Sequence, residues 1–335
     1  MLTTVHILIS LMPVVFFLAG LVLIDSYKLV RPKAVMFALL AGLLAAVASY
    51  YLNGWLRPAS GLSVEGYSRY LAPLTEEGLK AIWLGYIVFS DRVGFAVDSA
   101  ILGFAVGAGF AVFENLYFLS ALDLGTQTWV IRGFGTAIMH GVTTTVFAVI
   151  LKTLQREGSR SKIQAVIGAF ILAAILHSIY NHFPFEPMLM TAFLVVTSPL
   201  ILSMVFTQSE RATRGWLGNG FDTDQELMKL LMSGDFSNSH TGQFLSSLKE
   251  HFDGTVVADM FCLLRIRVEL SIRAKGQMMM AEAGFESKPD EQVHAKFQEL
   301  KYLEKSIGKT GLLAIQPVQK WSSKELWQLN MLSEQ

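Results

Sequence analysis

The chain has 335 residues and a formal net charge of zero, and 52% of its residues are hydrophobic whereas only 16% are charged. Soluble domains carry charge on about a quarter of their residues, so this composition predicts a membrane protein. Because the net charge is zero, the chain lacks the excess of basic residues that binds nucleic acid, and nucleic acid is excluded as a partner. The single cysteine, Cys262, excludes an intrachain disulfide framework.

Seven apolar stretches are long enough to cross a bilayer as helices. Lysine and arginine are concentrated in the loops after the first and fifth stretches. The loop after the fifth stretch contains four basic residues, one of which is Arg156. Because basic loops stay on the cytoplasmic side, we expect the N-terminus outside and the C-terminus inside a bacterial cell membrane. The predicted spans are 5–24, 34–52, 71–90, 97–119, 133–151, 164–182 and 188–207.

The residues after the last predicted span carry more charge and show amphipathic helical spacing. Capping boxes that begin at Thr223 and Ser322 predict helix starts at these two positions. We therefore predict an all-α protein, with a polytopic transmembrane helix bundle at 1–207, a linker at 208–220 and a cytoplasmic helical domain at 221–335. This domain carries no catalytic motif. We interpret it as a plain helical domain, with substrate gating or the binding of an unknown protein partner as alternatives.

Three charged residues, Glu76, Glu77 and Lys80, lie inside the third predicted span. Each buried charge costs about 2.5–3.5 kcal/mol on insertion scales, so such residues are rarely found there by chance. Lys80 can face either carboxylate across one helical turn. The three residues form either an ion pair that holds helices together or a catalytic acid–base group with its counter-ion.

Three more ionisable residues, Glu114, His140 and His177, lie within the fourth, fifth and sixth predicted spans. At about 1.5 Å per helical residue, they and the Glu76–Glu77 pair all fall roughly 8–10 Å below the outer membrane surface. Residues that merely hold helices together would scatter in depth. The common depth indicates one site in the outer leaflet.

The neighbours of these residues fit a shared site. His177 and Asn181 are four residues apart and lie on one helix face. Gly103, Gly107 and Glu114 lie on one stripe of the fourth span, where the small residues admit a close helix next to the carboxylate.

Two imidazoles and a carboxylate suit a catalytic zinc ion, which keeps one position open for water. A second carboxylate then accepts the proton of that water and passes it to the leaving amine. Asn181 or Asn115 can donate a hydrogen bond to the oxyanion. The sequence lacks the HExxH spacing, so the divalent metal is inferred from residue types alone. A metal-free site, in which a glutamate activates water, is an open alternative.

Three motifs on separate spans resemble the PrsW family of bacterial intramembrane proteases, within the wider superfamily of CAAX prenyl proteases and bacteriocin-immunity-type membrane proteases. The motifs are EExxK at Glu76–Lys80, FxxxEN at Phe110–Asn115 and HxxxN at His177–Asn181, with His140 on an intervening helix. The resemblance covers about residues 65–205 and leaves out the C-terminal tail.

The resemblance implies cleavage of single-span membrane proteins near their extracytoplasmic side. In the type case the substrate is an anti-sigma factor. It also implies that Glu76 and Glu77 are the catalytic carboxylates, with Glu76 as the base that activates water and Glu77 as the alternative base. His177 is then essential, and Asn181 supports it.

The second motif departs from the wider superfamily, because Glu114 stands where the CAAX proteases carry histidine. The resemblance therefore makes Glu114 and His140 candidate metal ligands beside His177. Two other classes of function remain open from the residues alone. One is a proton- or cation-coupled transporter, since Glu, His and Lys relays also mark ion pathways. The other is a non-catalytic membrane receptor whose tail binds a partner.

Overall fold

The computed structural model describes residues 4–155, 159–285, 291–318 and 322–333, and within these ranges every regular element is helical. The chain forms two compact units, Met1–Glu210 and Arg211–Gln335. The predicted all-α fold is confirmed. Of the basic residues that predict the orientation, Arg156 lies outside the described residues.

The first unit contains the predicted spans, and each coincides with a helix. Two of these helices are preceded by a π-helical segment, named π1 and π2 here. The elements are α1 (Thr4–Leu23), α2 (Pro32–Ser60), α3 (Val64–Gly66), π1 (Tyr67–Leu71), α4 (Ala72–Phe89), α5 (Ala96–Ala121), α6 (Thr126–Val130), π2 (Ile131–Thr136), α7 (Ala137–Leu154), α8 (Ser159–His182) and α9 (Pro187–Met232).

Six helical stretches among the described residues are long and apolar enough to cross a membrane: α1, α2, α5, the continuous stretch from α6 to α7, α8 and α9. The remaining predicted span, 71–90, corresponds to α4, which has 18 residues. It falls outside this group because it carries Glu76, Glu77 and Lys80, three charges within its length. The multi-pass membrane architecture is thus confirmed. The number of crossings is six or seven, depending on whether α4 also crosses the membrane.

Helix α5 is the central element of the first unit and packs most extensively against α7 and α2. Its glycines permit this close approach. A Cβ atom added at Gly107 would overlap the carbonyl group of His140 on α7, and one added at Gly103 would lie 2.9 Å from the carbonyl oxygen of Thr144. The predicted small-residue face therefore brings α7, and with it His140, against the helix that carries Glu114.

Helix α2 is longer than the sequence predicts. It continues past Asn53 to Ser60 and ends where Gly61 adopts the left-handed conformation with φ of 67°. Pro58 lies inside this helix, where a proline in the last turns removes only one backbone hydrogen bond. The additional turns carry Asn53 into the bundle.

The second unit consists of the C-terminal part of α9 and four further helices. These are α10 (His240–Ser247), α11 (Gly254–Glu282), α12 (Glu291–Ala314) and α13 (Ser323–Ser333). Its core is formed by apolar residues of α11 and α12, among them Met260, Leu263 and Ile307. The residues of the predicted linker, 208–220, are helical and belong to α9.

The two predicted capping boxes have different outcomes. The backbone N–H of Ser322 donates to the Glu325 carboxylate, and the Ser322 hydroxyl accepts from the N–H of Glu325, so a box does open α13. The box predicted at Thr223 is wrong, because Thr223 lies inside α9 and donates its hydroxyl to the carbonyl of Asn219. The sequence pattern is the same at both positions, but α9 continues through Thr223 without a break.

Candidate active site

Four helices bring the predicted glutamates and histidines into one cluster. On α4, Glu77 is held by three partners. Its Oε1 atom lies 2.9 Å from the Lys80 ammonium, 2.8 Å from Nδ1 of His177 on α8 and 3.2 Å from the hydroxyl of Thr143 on α7. Glu77, Lys80 and His177 are all at most 3% exposed. A buried carboxylate needs such partners, because an unpaired charge would be strongly destabilising.

His140 on α7 lies between a cation and an anion. Its Nδ1 atom is 2.8 Å from the Lys80 ammonium, and its Nε2 atom is 3.0 Å from Oε2 of Glu114 on α5. An ammonium group can only donate, so Nδ1 must accept and the ring proton must sit on Nε2, facing Glu114. The phenyl ring of Phe110 packs beside this imidazole and under the Lys80 ammonium.

Glu76 faces the second nitrogen of His177. Oε2 of Glu76 lies 3.8 Å from Nε2 of His177, and the side chain of Glu76 remains 14% exposed. Because Nδ1 of His177 is taken by the Glu77 carboxylate, Nε2 is left as the acceptor. A single water molecule can contact two acceptors at this separation.

The donor atoms of Glu76, His140 and His177 all lie within 4.8 Å of one another, which is the spacing of a group that could hold a metal ion. Two imidazoles and one carboxylate are also the donor set of many catalytic zinc sites. The residues therefore fit a metal in type and spacing. His140 would first have to release Lys80 or Glu114, since both of its ring nitrogens have partners.

This cluster differs from the predicted ligand set of Glu114, His140 and His177, since the carboxylate in it is Glu76. Glu114 contacts His140, but its other oxygen lies 3.3 Å from the guanidinium of Arg132. The geometry thus places Glu76 within ligand spacing of both histidines, and the metal-binding role predicted for Glu114 stays a prediction.

The asparagines predicted as oxyanion donors are engaged elsewhere. The amide nitrogen of Asn115 donates to the carbonyl of Ser10 at 2.8 Å, and its oxygen accepts from Arg132. The amide nitrogen of Asn181 donates to the carbonyl of Ser68 in π1 at 2.9 Å. The role predicted for Asn181 stays a prediction, but both amides hold backbone segments in place.

Sequence reasoning missed several polar side chains of the site, among them Thr143, Arg132 and Asn53. Arg132, in π2, stands between Glu114 and Asn115. Asn53, on α2, lies 3.4 Å from Oε1 of Glu76 through its amide nitrogen. Asn53 could have been recognised as a further polar residue at the outer end of an apolar span, had the predicted helix not stopped at residue 52.

A cavity of about 720 Å³ adjoins the cluster. Glu76 and Glu114 lie on its wall together with Asn53 and several aromatic residues, including Tyr67 and Tyr117. Through this cavity a polypeptide segment or water can reach the two glutamates. Glu77, His140 and His177 stay buried behind them.

One comparison with known proteins gave a match. The family model described as PrsW family intramembrane metalloprotease matches residues 30–207, which contain every residue of the cluster. Neither the curated proteins nor the solved structures gave a significant match. The match covers more than half of the chain and includes all three motifs that indicated the resemblance. The chain belongs to the PrsW family of intramembrane metalloproteases.

Proposed function

We propose that this protein hydrolyses a peptide bond of a membrane-protein substrate near the extracytoplasmic side of a bacterial cell membrane. The observation that carries the proposal is the convergence of Glu76, His140 and His177 from three helices to within 4.8 Å, with Glu76 at the wall of the cavity and the two histidines buried behind it. Family membership supports the same type of activity. A bond in a lipid-embedded substrate can be hydrolysed only where such polar groups and water are brought together inside the bundle.

In this proposal, Glu76 and His177 position the attacking water. Both present acceptor atoms, so the water donates one hydrogen to each and its oxygen lone pair is directed at the substrate carbonyl. As the new C–O bond forms, the carbonyl π electrons move onto oxygen and Glu76 takes one proton from the water. When the C–N bond breaks, Glu76 gives that proton to the amine nitrogen.

The buried partners maintain this arrangement. Glu77 accepts from Nδ1 of His177, which keeps Nε2 directed at Glu76. Lys80 balances the charge of Glu77 and donates to His140. Arg132 balances the charge of Glu114 at the edge of the cavity.

These steps describe the site without a metal. For the metal-bound site we propose zinc, which His140 and His177 would hold with Glu76 or Glu114, so that His177 would then serve as a ligand and not as an acceptor for the water. Zinc is favoured because its usual ligands in proteins are imidazole and carboxylate groups. When bound, it supplies Lewis-acid activation of the water and of the substrate carbonyl. The glutamate outside the ligand set is then the proton acceptor.

The substrate class that we propose is a single-span membrane protein, and an anti-sigma factor is the example that the family resemblance suggests. The cytoplasmic helical domain, 221–335, lies outside the region that the family model matches. We assign it the binding of a cytoplasmic partner or the gating of substrate, and the substrate therefore need not be an anti-sigma factor.

The decisive experiment compares Glu76→Gln and His177→Ala with matched controls. Glu65→Gln changes an exposed glutamate of α3, and His182→Ala changes a histidine whose Nδ1 contacts only the backbone carbonyl of Ser178. Cleavage of a co-reconstituted single-span substrate should be lost in the first pair and kept in the second. Cleavage that persists in Glu76→Gln would remove the proposal.

A further inference from the structure

Amide hydrolysis needs a hydrogen-bond donor directed at the oxygen on which negative charge develops. The two asparagines that the sequence suggests for this task, Asn115 and Asn181, already donate their amide groups to the carbonyls of Ser10 and Ser68. Within the described residues of the cavity wall, a third asparagine offers a side-chain amide next to Glu76. This residue is Asn53 on α2.

The amide nitrogen of Asn53 has two hydrogens and only one short contact. One hydrogen is directed to the hydroxyl of Ser49 at 2.9 Å. The other faces Oε1 of Glu76 at 3.4 Å, which is near the upper limit for a hydrogen bond. A substrate oxygen beside Glu76 can therefore accept this second hydrogen without displacing a strong partner.

The orientation of this amide is fixed by its oxygen. Oδ1 of Asn53 accepts from the hydroxyl of Tyr67 in π1 at 2.8 Å. The hydroxyl of Thr75 on α4 lies 2.6 Å from the same oxygen and shares its single hydrogen with the carbonyl of Ala72 at 2.9 Å. The opposite orientation would place Oδ1 against a carboxylate oxygen of Glu76, so that two acceptors would face each other. The network thus directs the N–H group at the place where the proposed reaction occurs.

We propose that Asn53 is a catalytic residue, the amide donor that stabilises the oxyanion when water adds to the substrate carbonyl. Tyr67 and Thr75 are the positioning residues that hold its amide. During the step, the carbonyl π pair moves onto oxygen and this oxygen accepts the N–H of Asn53, while Glu76 takes the proton of the water. The inference rests on the proposed protease function.

The test measures kcat and KM for a single-span substrate in Asn53→Leu, which has a similar size but no donor. Removing one oxyanion donor costs about 100- to 1000-fold in kcat, and KM should stay within about threefold because the contact forms only in the transition state. An unchanged kcat, or a rise in KM alone, would overturn the inference. A loss of kcat in Asn181→Ala that exceeds the loss in Asn53→Leu would also overturn it.

A second variant covers the case in which Asn53→Leu does not fold. Tyr67→Phe keeps the amide and removes one of the two hydroxyls that orient it, so we expect kcat to fall about 5- to 20-fold, below the loss of a whole donor. The control is Tyr86→Phe, which changes an exposed tyrosine of α4. Equal kcat values in Tyr67→Phe and Tyr86→Phe would contradict the assignment.

A tetrahedral inhibitor separates orientation of the amide from general damage. A peptide phosphinate should bind Tyr67→Phe more weakly by the same factor by which kcat/KM falls, because it resembles the transition state. Unchanged phosphinate affinity in a slowed variant would overturn the role of Asn53. Glu76→Gln, assayed in parallel, keeps the two proposals apart. If it still cleaves, the protease function fails, and if it is inactive while Asn53→Leu is fully active, only the role of Asn53 fails.

Discussion

Nδ1 of His177 lies 2.8 Å from a carboxylate oxygen of Glu77, and both side chains are buried. This contact fixes which ring nitrogen carries the proton and which one is presented to the cavity. Carboxylates that orient a histidine in this way change activity by about 10- to 100-fold when they are removed. Glu77 therefore acts through His177 in the proposed reaction, rather than on the substrate.

A first prediction separates this orienting role from charge balance. Glu77→Gln should lower cleavage by about 10- to 100-fold, and it should also lower the melting temperature because Lys80 is left buried without its carboxylate. The double variant Glu77→Gln with Lys80→Met removes both charges. We expect it to regain thermal stability in detergent but not activity. Recovery of both properties would show that Glu77 serves only to neutralise Lys80.

The second prediction concerns the metal. Purified protein should contain about one zinc per chain, and a chelator should abolish cleavage until zinc is restored. The metal content of Glu76→Gln and Glu114→Gln then identifies the third ligand, because only the variant that lacks a ligand should lose the ion. Full activity in chelator-treated protein, with zinc absent by mass spectrometry, would favour the mechanism in which a glutamate alone activates water.

A third prediction tests the close packing of α5 and α7. Gly107→Ala places a methyl group where the carbonyl of His140 lies, and overpacking of this kind costs about 1–3 kcal/mol. The matched control is Gly168→Ala on α8, where an added Cβ has no atom within 4 Å. Thermal unfolding in detergent should separate the two variants. Equal melting temperatures would mean that the helices are not in contact at Gly107.

The fourth prediction concerns the second unit. Lys275 is buried, and its ammonium lies 2.6 Å from Asp224. Asp224→Asn leaves that ammonium without its counter-ion and should destabilise the unit by about 3–5 kcal/mol. The control pair is Arg214 and Glu282, in which the arginine is 73% exposed, so Glu282→Gln should cost less than about 1 kcal/mol. Chemical unfolding followed by tryptophan fluorescence measures both, and similar losses would contradict the expected difference.

A fifth prediction tests the orientation in the membrane. The single Cys262 is replaced by serine, and new cysteines are introduced at Leu62, in the loop after α2, and at exposed Ser246 of the second unit. A membrane-impermeant maleimide should label Leu62→Cys in spheroplasts and Ser246→Cys only after lysis. The reverse labelling pattern would place the site in the inner leaflet.

The sequence was sufficient to predict the helices and the members of the cluster. Apolar length marks the spans, and the high cost of a buried charge makes Glu76, Glu114, His140 and His177 conspicuous. Their partners could not be predicted, because a hydrogen bond between helices depends on rotation and spacing that a single chain pattern does not specify. The contact of Lys80 with His140 is of this kind.

Asn53 was missed for a different reason. The predicted span ends near residue 52, where the apolar run ends, whereas α2 continues to Ser60. Apolar length marks the part of a helix that crosses the membrane, and the helix itself can be longer. The capping pattern at Thr223 failed in the same way, because α9 continues through it. In both cases a local sequence pattern predicted a helix boundary at a position where the helix continues.

The two π-helical segments determine the angular register of the site. An α-helix turns about 100° per residue, so Tyr67 and Glu76, nine positions apart, would point about 180° away from each other in an unbroken helix. The additional residue that π1 accommodates reduces this angle to about 80°, and π2 likewise brings Arg132 to within about 20° of His140. Deleting one residue from π1 would therefore turn Tyr67 away from the cavity, and deleting one from π2 would turn Arg132 away from Glu114, although every residue of the cluster would still be present.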